Sequence, residues 1–246
     1  MKQFGLIGHP LSHSFSEKYF TEKFKKENIT DASYQLFDID AIEKINTIVK
    51  ENKNLVGLNV TIPYKETIFD YLDEIDPIAA EIGAVNTIKI NKETGLKKGY
   101  NTDYYGFKKS LKPFLAIEHQ RALILGTGGA SKAIFYALKE LNIDCLFVSR
   151  TPKNENEISY EEVNNYVIQH HQLIVNTTPI GTFPNTEEKP LIPYEFLSDQ
   201  HLLYDLVYNP TETSFLKEGK QKNCITLNGL EMLKLQAEKA WEIWNS

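Results

Sequence analysis

The sequence predicts an α/β protein built as two units, and three observations carry that expectation. Residues 121–150 read as strand, glycine turn, helix and strand in succession. Residues 1–100 alternate apolar runs with helical patterns but hold no glycine turn of that kind. The chain then ends on an amphipathic helical pattern, residues 230–244, with an amide inside its apolar arc. At 246 residues there is enough chain for two cores.

Composition narrows the classes. The chain is 41% hydrophobic and 24% charged, as expected of an ordinary globular protein. Its net charge is −6 and it has no basic block, which argues against a nucleic-acid partner. No apolar run approaches the roughly 18–20 residues of a membrane span. The N-terminal residues enter a short strand without a signal-peptide layout. Cys145 and Cys224 form no C-x-x-C motif and fall in expected buried strands, so they read as core thiols of a cytoplasmic protein. His9, His13 and the pair His170-His171 lack the spacing of metal ligands, and no metal is expected.

Taken in order, residues 4–8 form the first expected strand, and a helix from about Ser16 carries Tyr19, Phe20 and Phe24. A strand at 34–39 precedes a helix with Ile42, Ile45, Ile48 and Val49. The strand at 55–62 runs into Pro63, which is expected to open a helix with Lys65 in its first turn. Two short helices precede a hairpin of residues 85–90 and 96–100 through the turn at 91–95. A helix from Thr102 or Asp103 to about Lys112 leads into the second unit. There the strand at 122–125 is followed by a helix with Ala133, Ile134, Ala137, Leu138 and Leu141 on one face, and by a strand at 145–148. Further strands are expected at 173–175, 202–206 and 224–227, with a Pro- and Thr-rich surface loop at 182–193. On the last helix Met232, Leu233, Ala237, Ala240, Trp241, Ile243 and Trp244 share an arc that also contains Gln236. A buried amide requires partners, and a substrate hydroxyl would be one.

The glycine turn is Gly126-Thr127-Gly128-Gly129-Ala130-Ser131, placed where a strand becomes a helix. In that position glycines let the backbone approach a pyrophosphate, whose charge meets free N–H groups and the helix dipole. Ser131 stands at the third glycine position, and the plain alternative is a glycine-rich loop without a nucleotide. An NAD site wants an acid at the end of the second strand to accept from the ribose hydroxyl. This chain has Ser149-Arg150-Thr151 there, with Lys153 beyond, while Asp144 lies at the opposite end of the strand. Two cations and two hydroxyls suit a 2′-phosphate, which favours NADP(H) over a merely solvated basic turn.

Polar clusters in the first half offer chemistry. Ser14 and Glu17 have capping-box spacing and Ser16 is a second candidate cap, yet two hydroxyls at a helix N-terminus also suit a carboxylate. In Asn59-Val60-Thr61-Ile62-Pro63-Tyr64-Lys65, a lysine in a first helical turn sits in an unfavourable dipole field. That field would lower its pKa, as an acid/base near neutral pH needs, the alternative being an exposed lysine that tolerates a small penalty. Gly83-Ala84-Val85-Asn86-Thr87 and Gly99-Tyr100-Asn101-Thr102-Asp103 place amides and hydroxyls at strand ends. Asp103 reads as a helix cap or as the ion-pair partner of Lys65.

Together these runs resemble the shikimate dehydrogenase family over nearly the whole chain. The carriers are Ser14-x-Ser16, Asn59 to Lys65, Gly83 to Thr87, Asn101 to Asp103, the Gly-Gly-Ala-Ser turn, Asp205-Leu206-Val207-Tyr208, and Asn228 to Leu233 with Gln236. The resemblance implies a substrate-binding and catalytic domain at 1–102, with residues 230–246 returning to it, and an NADP-binding Rossmann domain at 103–229. It implies NADPH-dependent, reversible reduction of 3-dehydroshikimate to shikimate, a step of aromatic amino acid biosynthesis. Lys65 would be the acid/base paired with Asp103. Ser14 and Ser16 would hold the carboxylate, and Thr61, Asn86, Asp103 and Gln236 the ring hydroxyls, with Tyr208 nearby. Gly126, Thr127, Gly128, Gly129, Ala130 and Ser131 would take the pyrophosphate, and Ser149, Arg150, Thr151 and Lys153 the 2′-phosphate. Thr177, Leu206, Gly229 and Met232 would line the nicotinamide. No nucleic acid or membrane partner is implied, and monomer and homodimer both remain open. Glu17 stands where the family usually has Pro, Asn176-Thr177-Thr178 replaces Asn-Ala-Thr, and Gly181-Thr182 replaces Gly-Met. The alternatives are a quinate/shikimate dehydrogenase of mixed specificity and a NADP-sensing regulator without catalysis.

Overall fold

A computed structural model describes residues 1–11 and 14–246. The chain divides into two compact units, Met1–Thr102 with Gln236–Ser246, and Asp103–Leu235. Among the described residues, no helix is long and apolar enough to cross a membrane.

The first unit runs β1 (Lys2–Gly8), α1 (Phe15–Lys26), β2 (Ala32–Asp38), α2 (Ile45–Glu51), β3 (Leu55–Val60), β4 (Glu74–Ile75), α3 (Pro77–Ile82), β5 (Thr87–Ile90) and β6 (Lys97–Tyr100). These strands make one mixed sheet in the order β2-β1-β3-β5-β6-β4. β1 pairs in parallel with β2 and β3, while β5 is antiparallel to both β3 and β6. The central strands are apolar on both sides, because helices and the chain's end cover both faces. One side packs Ile7, Leu58, Ile68 and Ile88, and the other packs Phe4, Phe20, Phe24 and Trp244.

Residues 61–71 depart from the expected helix. Ile62, Pro63, Lys65 and Glu66 lie in turns, and the first helical hydrogen bonding is a short 3-10 segment, Thr67–Tyr71. The reason lies in where the backbone groups go. The Lys65 carbonyl accepts from Val85 N at 2.8 Å, so it serves the sheet side of the unit and not a helix. Tyr64 buries its ring and donates to the Ile39 carbonyl at 2.6 Å, which holds the turn against the core. The helix-dipole effect expected at Lys65 therefore has no helix to arise from.

The second unit runs α4 (Asp103–Leu111), β7 (Arg121–Leu125), α5 (Gly129–Lys139), β8 (Asp144–Val148), β9 (Glu157–Ile158), α6 (Asn165–His170), β10 (Leu173–Asn176), β11 (Leu202–Asp205), α7 (Ser214–Gln221), β12 (Ile225–Leu227) and the start of α8 (Leu230–Asn245). Its sheet is β12-β11-β10-β7-β8-β9. Every adjacent pair is parallel. Counted from β7, this is the 3-2-1-4-5-6 order of doubly wound nucleotide-binding sheets. Side chains alternate across the sheet as the pleat requires, with Ala122 and Ile124 in one core and Leu123 and Leu125 in the other.

Two smaller expectations are corrected here. Leu141 lies beyond the end of α5, which stops at Lys139. Cys224 is buried one residue before β12, held by Cys224 N donating to Gly219 O at 3.0 Å, and is not a strand residue. Helix α8 contributes Met232 to the core of the second unit and Ala237, Ala240 and Trp244 to that of the first. Trp244 donates to the Ile88 carbonyl at 2.9 Å and lies over Gly57, where a Cβ would come within 2.5 Å of the indole. Gly57 is thus the gap that admits the last helix to its sheet.

Candidate active site

In the second unit the turn after β7 sits at the switch between β7 and β10, the crevice where such sheets bind ligands. Gly126 has φ +103°, a conformation that L side chains rarely adopt, and an added Cβ would lie 2.9 Å from Thr178. Gly128 forms the N-cap of α5, and the space beside its Cα is open within 4 Å. That open space is where a phosphate can meet the backbone. The N–H groups of Gly129 and Ala130 open α5 at its positive end, where helical geometry leaves them no intrahelical partner, while Ser131 N donates to the Gly128 carbonyl at 2.9 Å. Ser131, almost wholly buried, turns its hydroxyl to the Gly128 carbonyl at 2.7 Å and braces the turn from within. A small third residue is therefore accommodated, with its hydroxyl used by the protein itself.

At the end of β8, Arg150, Thr151 and Lys153 are exposed, and Ser149 accepts from Thr151 N at 3.2 Å. Asp144 begins β8 opposite Arg121, at the far end of the strand from these donors. The set fits a diphosphate at the turn and a phosphate monoester at 149–153. Thr177 donates to the Leu125 carbonyl at 2.7 Å, which ties the end of β10 to the turn. Gly229 is buried against Leu206, whose carbonyl would lie 2.0 Å from an added Cβ. Met232 packs with Phe107 and Tyr204 in the core. Tyr208 is half-buried, and desolvation pushes its phenol pKa above the usual range.

In the first unit the polar clusters converge on Asn86, which is 3% exposed. Its Oδ1 accepts from Thr102 N at 2.7 Å and from the Thr87 hydroxyl at 3.1 Å. Its Nδ2 donates to the Thr102 hydroxyl at 3.1 Å and to Gln236 Oε1 at 3.4 Å. Thr102 also donates to Gln236 Oε1, at 3.3 Å. Gln236 is buried as expected from its place in the apolar arc, but these partners belong to the chain itself and not only to a substrate. Asn59 continues the network, accepting from the Tyr34 hydroxyl at 2.7 Å. Burial pushes the Tyr34 phenol well above its usual pKa, so it remains a donor.

Lys65 joins this group through its backbone, since Val85, its hydrogen-bond partner, precedes Asn86. Thr61 lies in the same turn and accepts from Tyr64 N at 2.9 Å. Ser14 occupies the N-cap of α1 but makes no capping bond. Its hydroxyl oxygen is the one buried side-chain polar atom without a hydrogen-bond partner among the described residues. The capping box is therefore absent, and a buried unmet donor stands at a helix N-terminus. Ser16 interacts with the Tyr34 hydroxyl, and Glu17 is exposed one residue on. Asp103 opens α4 in the second unit with its side chain buried, one residue after Thr102. Ser12 and His13, in the first polar cluster, lie outside the described residues.

Asn59, Thr87, Thr102 and Tyr34 were not among the sequence-derived site residues. Asn59, Thr87 and Thr102 stand inside the polar runs named above and Tyr34 in an expected strand, but only packing shows that they share one network. Asn176 and Asp205 were likewise missed as a bonded pair, at 3.0 Å on neighbouring strands.

Residues 6–88 match the shikimate dehydrogenase substrate binding domain. Over 258 aligned residues the chain is 39% identical to the shikimate dehydrogenase (NADP(+)) of Methanosphaera stadtmanae, covering 98% of this chain and 90% of that one. The crystal structure of shikimate dehydrogenase 1 from Peptoclostridium difficile is 39% identical with a TM-score of 0.84, covering 100% of this chain and 92% of that one. Shikimate 5-dehydrogenase from Thermus thermophilus, in complex with NADP(H) and shikimate, is 32% identical with a TM-score of 0.86, covering 99% and 93%. With its polar network, its glycine turn and this similarity along almost its whole length, the chain belongs to the shikimate dehydrogenase family.

Proposed function

We propose that this protein catalyses the reversible, NADPH-dependent reduction of 3-dehydroshikimate to shikimate. Bound NADPH supplies the hydride. Lys65 supplies the proton to the carbonyl oxygen as it becomes an alkoxide, and takes it back in the reverse direction. Asp103 orients the lysine and binds the neighbouring ring hydroxyl. Ser14 and Ser16 hold the carboxylate, while Thr61, Asn86 and Gln236 receive the ring hydroxyls, with Tyr208 as a further substrate-binding residue. The turn Gly126 to Ser131 takes the pyrophosphate. Ser149, Arg150, Thr151 and Lys153 take the 2′-phosphate, and Thr177, Leu206, Gly229 and Met232 line the nicotinamide.

The observation that carries this reading is the buried cluster of Asn86, Thr102 and Gln236 beside the Lys65 turn. A protein that only sensed a nucleotide would have no use for it, and buried amides are expensive unless their geometry serves something. Mixing the protein with NADPH and 3-dehydroshikimate, and following NADPH absorbance, tests it directly. Steady consumption is expected. Binding of NADPH with no turnover on either 3-dehydroshikimate or 3-dehydroquinate would reject catalysis, and faster turnover on the latter would reassign the substrate.

A further inference from the structure

We propose that Asp205, a buried carboxylate at the end of β11 with no cation beside it among the described residues, biases the nucleotide site toward the oxidised, positively charged nicotinamide. This deepens the proposed function and rests on its assignment of Thr177, Leu206 and Gly229 to the nicotinamide side.

Asp205 is fully buried. Its Oδ1 accepts from Asn176 Nδ2 at 3.0 Å and from Val207 N at 3.0 Å. Its Oδ2 accepts from the Thr213 hydroxyl at 2.5 Å. Thr213 in turn caps α7, accepting from Leu216 N at 3.4 Å. All three donors are uncharged, and no ion pair involves Asp205 among the described residues. They solvate the carboxylate and the positive end of α7 steadies it, but the negative charge is not cancelled. Burial raises the carboxyl pKa to about 6, which leaves it ionised in mildly alkaline solution.

The position of this charge gives it a use. Asp205 and Asn176 end neighbouring strands at the carboxyl edge of the sheet, beside the switch point between β10 and β7. Leu206 follows directly and is held by its N–H to the Asn176 carbonyl at 3.0 Å, and Thr177 follows Asn176. A charge inside a protein is screened far less than one in water, so its field reaches the groups lining that crevice. The oxidised nicotinamide ring is a cation and the reduced ring is neutral. A fixed anion there tightens binding of the first and leaves the second nearly untouched. For a two-electron couple, each tenfold preference for the oxidised form makes the bound reduced cofactor a stronger reductant by about 30 mV.

The test compares dissociation constants of NADP+ and NADPH, measured by titration at pH 8 without substrate, for wild type, Asp205→Asn and Thr213→Val. Asp205→Asn keeps the shape and removes the charge. It should weaken NADP+ relative to NADPH by roughly three- to tenfold, as expected for one charge at intermediate screening. Thr213→Val keeps the carboxyl group and removes one hydrogen bond, and should move the ratio less than Asp205→Asn does even if both affinities fall. An unchanged ratio in Asp205→Asn, or an equal shift in Thr213→Val, overturns the proposal. Wild-type protein that binds neither nucleotide would instead overturn the cofactor assignment beneath it. If Asp205→Asn does not fold, the wild-type ratio at pH 8 and pH 5 reads the same charge. The 2′-phosphate titrates in both nucleotides and cancels, and Tyr194, which feels the Asp205 charge, stays protonated throughout because burial raises its pKa. A ratio that does not move between those pH values then overturns it.

Discussion

One side-chain oxygen of Gln236 accepts from both Asn86 and Thr102, at 3.4 and 3.3 Å, joining residues 150 positions apart in the case of Asn86. The bond closes a loop containing most of the chain. It places an amide from the last helix among groups that flank the hairpin of β5 and β6, Asn86 just before it and Thr102 just after.

Replacing Gln236 with Leu should therefore act on stability and substrate together. The Asn86 amide loses an acceptor in a buried setting, a loss of about 1–3 kcal/mol. Denaturant titration should show it, and KM for shikimate should rise roughly tenfold through the missing contact. A variant with altered stability and unchanged KM would confine Gln236 to a structural role.

Lys65→Ala should lower kcat by about 100-fold or more, the usual weight of a general acid. NADP+ affinity should stay within about twofold, since the nucleotide residues lie on other elements. Turnover near that of the wild type would remove lysine from the mechanism.

The exposed cations after β8 predict cofactor choice. In the double variant Arg150→Ala, Lys153→Ala, KM for NADPH should rise about 10- to 100-fold, the scale of lost charge-assisted hydrogen bonds. KM for NADH should hardly change. If the unmodified protein uses both cofactors equally well, these residues do not select the 2′-phosphate.

Asp205 makes a prediction for stability against pH. Its folded-state pKa is raised from 3.8 to about 6, so the folded protein binds this proton more tightly than the unfolded chain does. The resulting stabilisation is complete below the unfolded value and is lost as pH rises through the folded one, amounting to about 3 kcal/mol. Asp205→Asn should accordingly gain stability relative to wild type as pH is raised from 4 to 7, in urea titrations of the two proteins. A constant difference across that range would show that the carboxylate is not strained by burial. This loss of stability is what retaining a charge for the cofactor entails.

What the sequence determined by itself was whatever repeats locally. The apolar run of β7, the glycines after it and the face of α5 are neighbours in the chain, so spacing alone exposes them. The same holds for the cations after β8 and for the apolar arc that buries Gln236. Short elements escaped: β9 has 2 residues and α6 has 6, too few for a period to show.

The tertiary structure decided the rest, because a polar group's partner depends on what packs against it. The Ser14 and Glu17 spacing suited a capping box, but the Ser14 hydroxyl is buried and free of any cap. Pro63 suited a helix start, but the Lys65 carbonyl is taken by Val85 from a distant segment. In the sequence Asp205 is only one member of the Asp205-Leu206-Val207-Tyr208 run, whereas in the fold Asn176, Val207 and Thr213 all donate to it. Local spacing selects strands and helices, whereas the meeting of Asn86 with Gln236, or of Asp205 with its donors, is fixed only when separate elements close on one another.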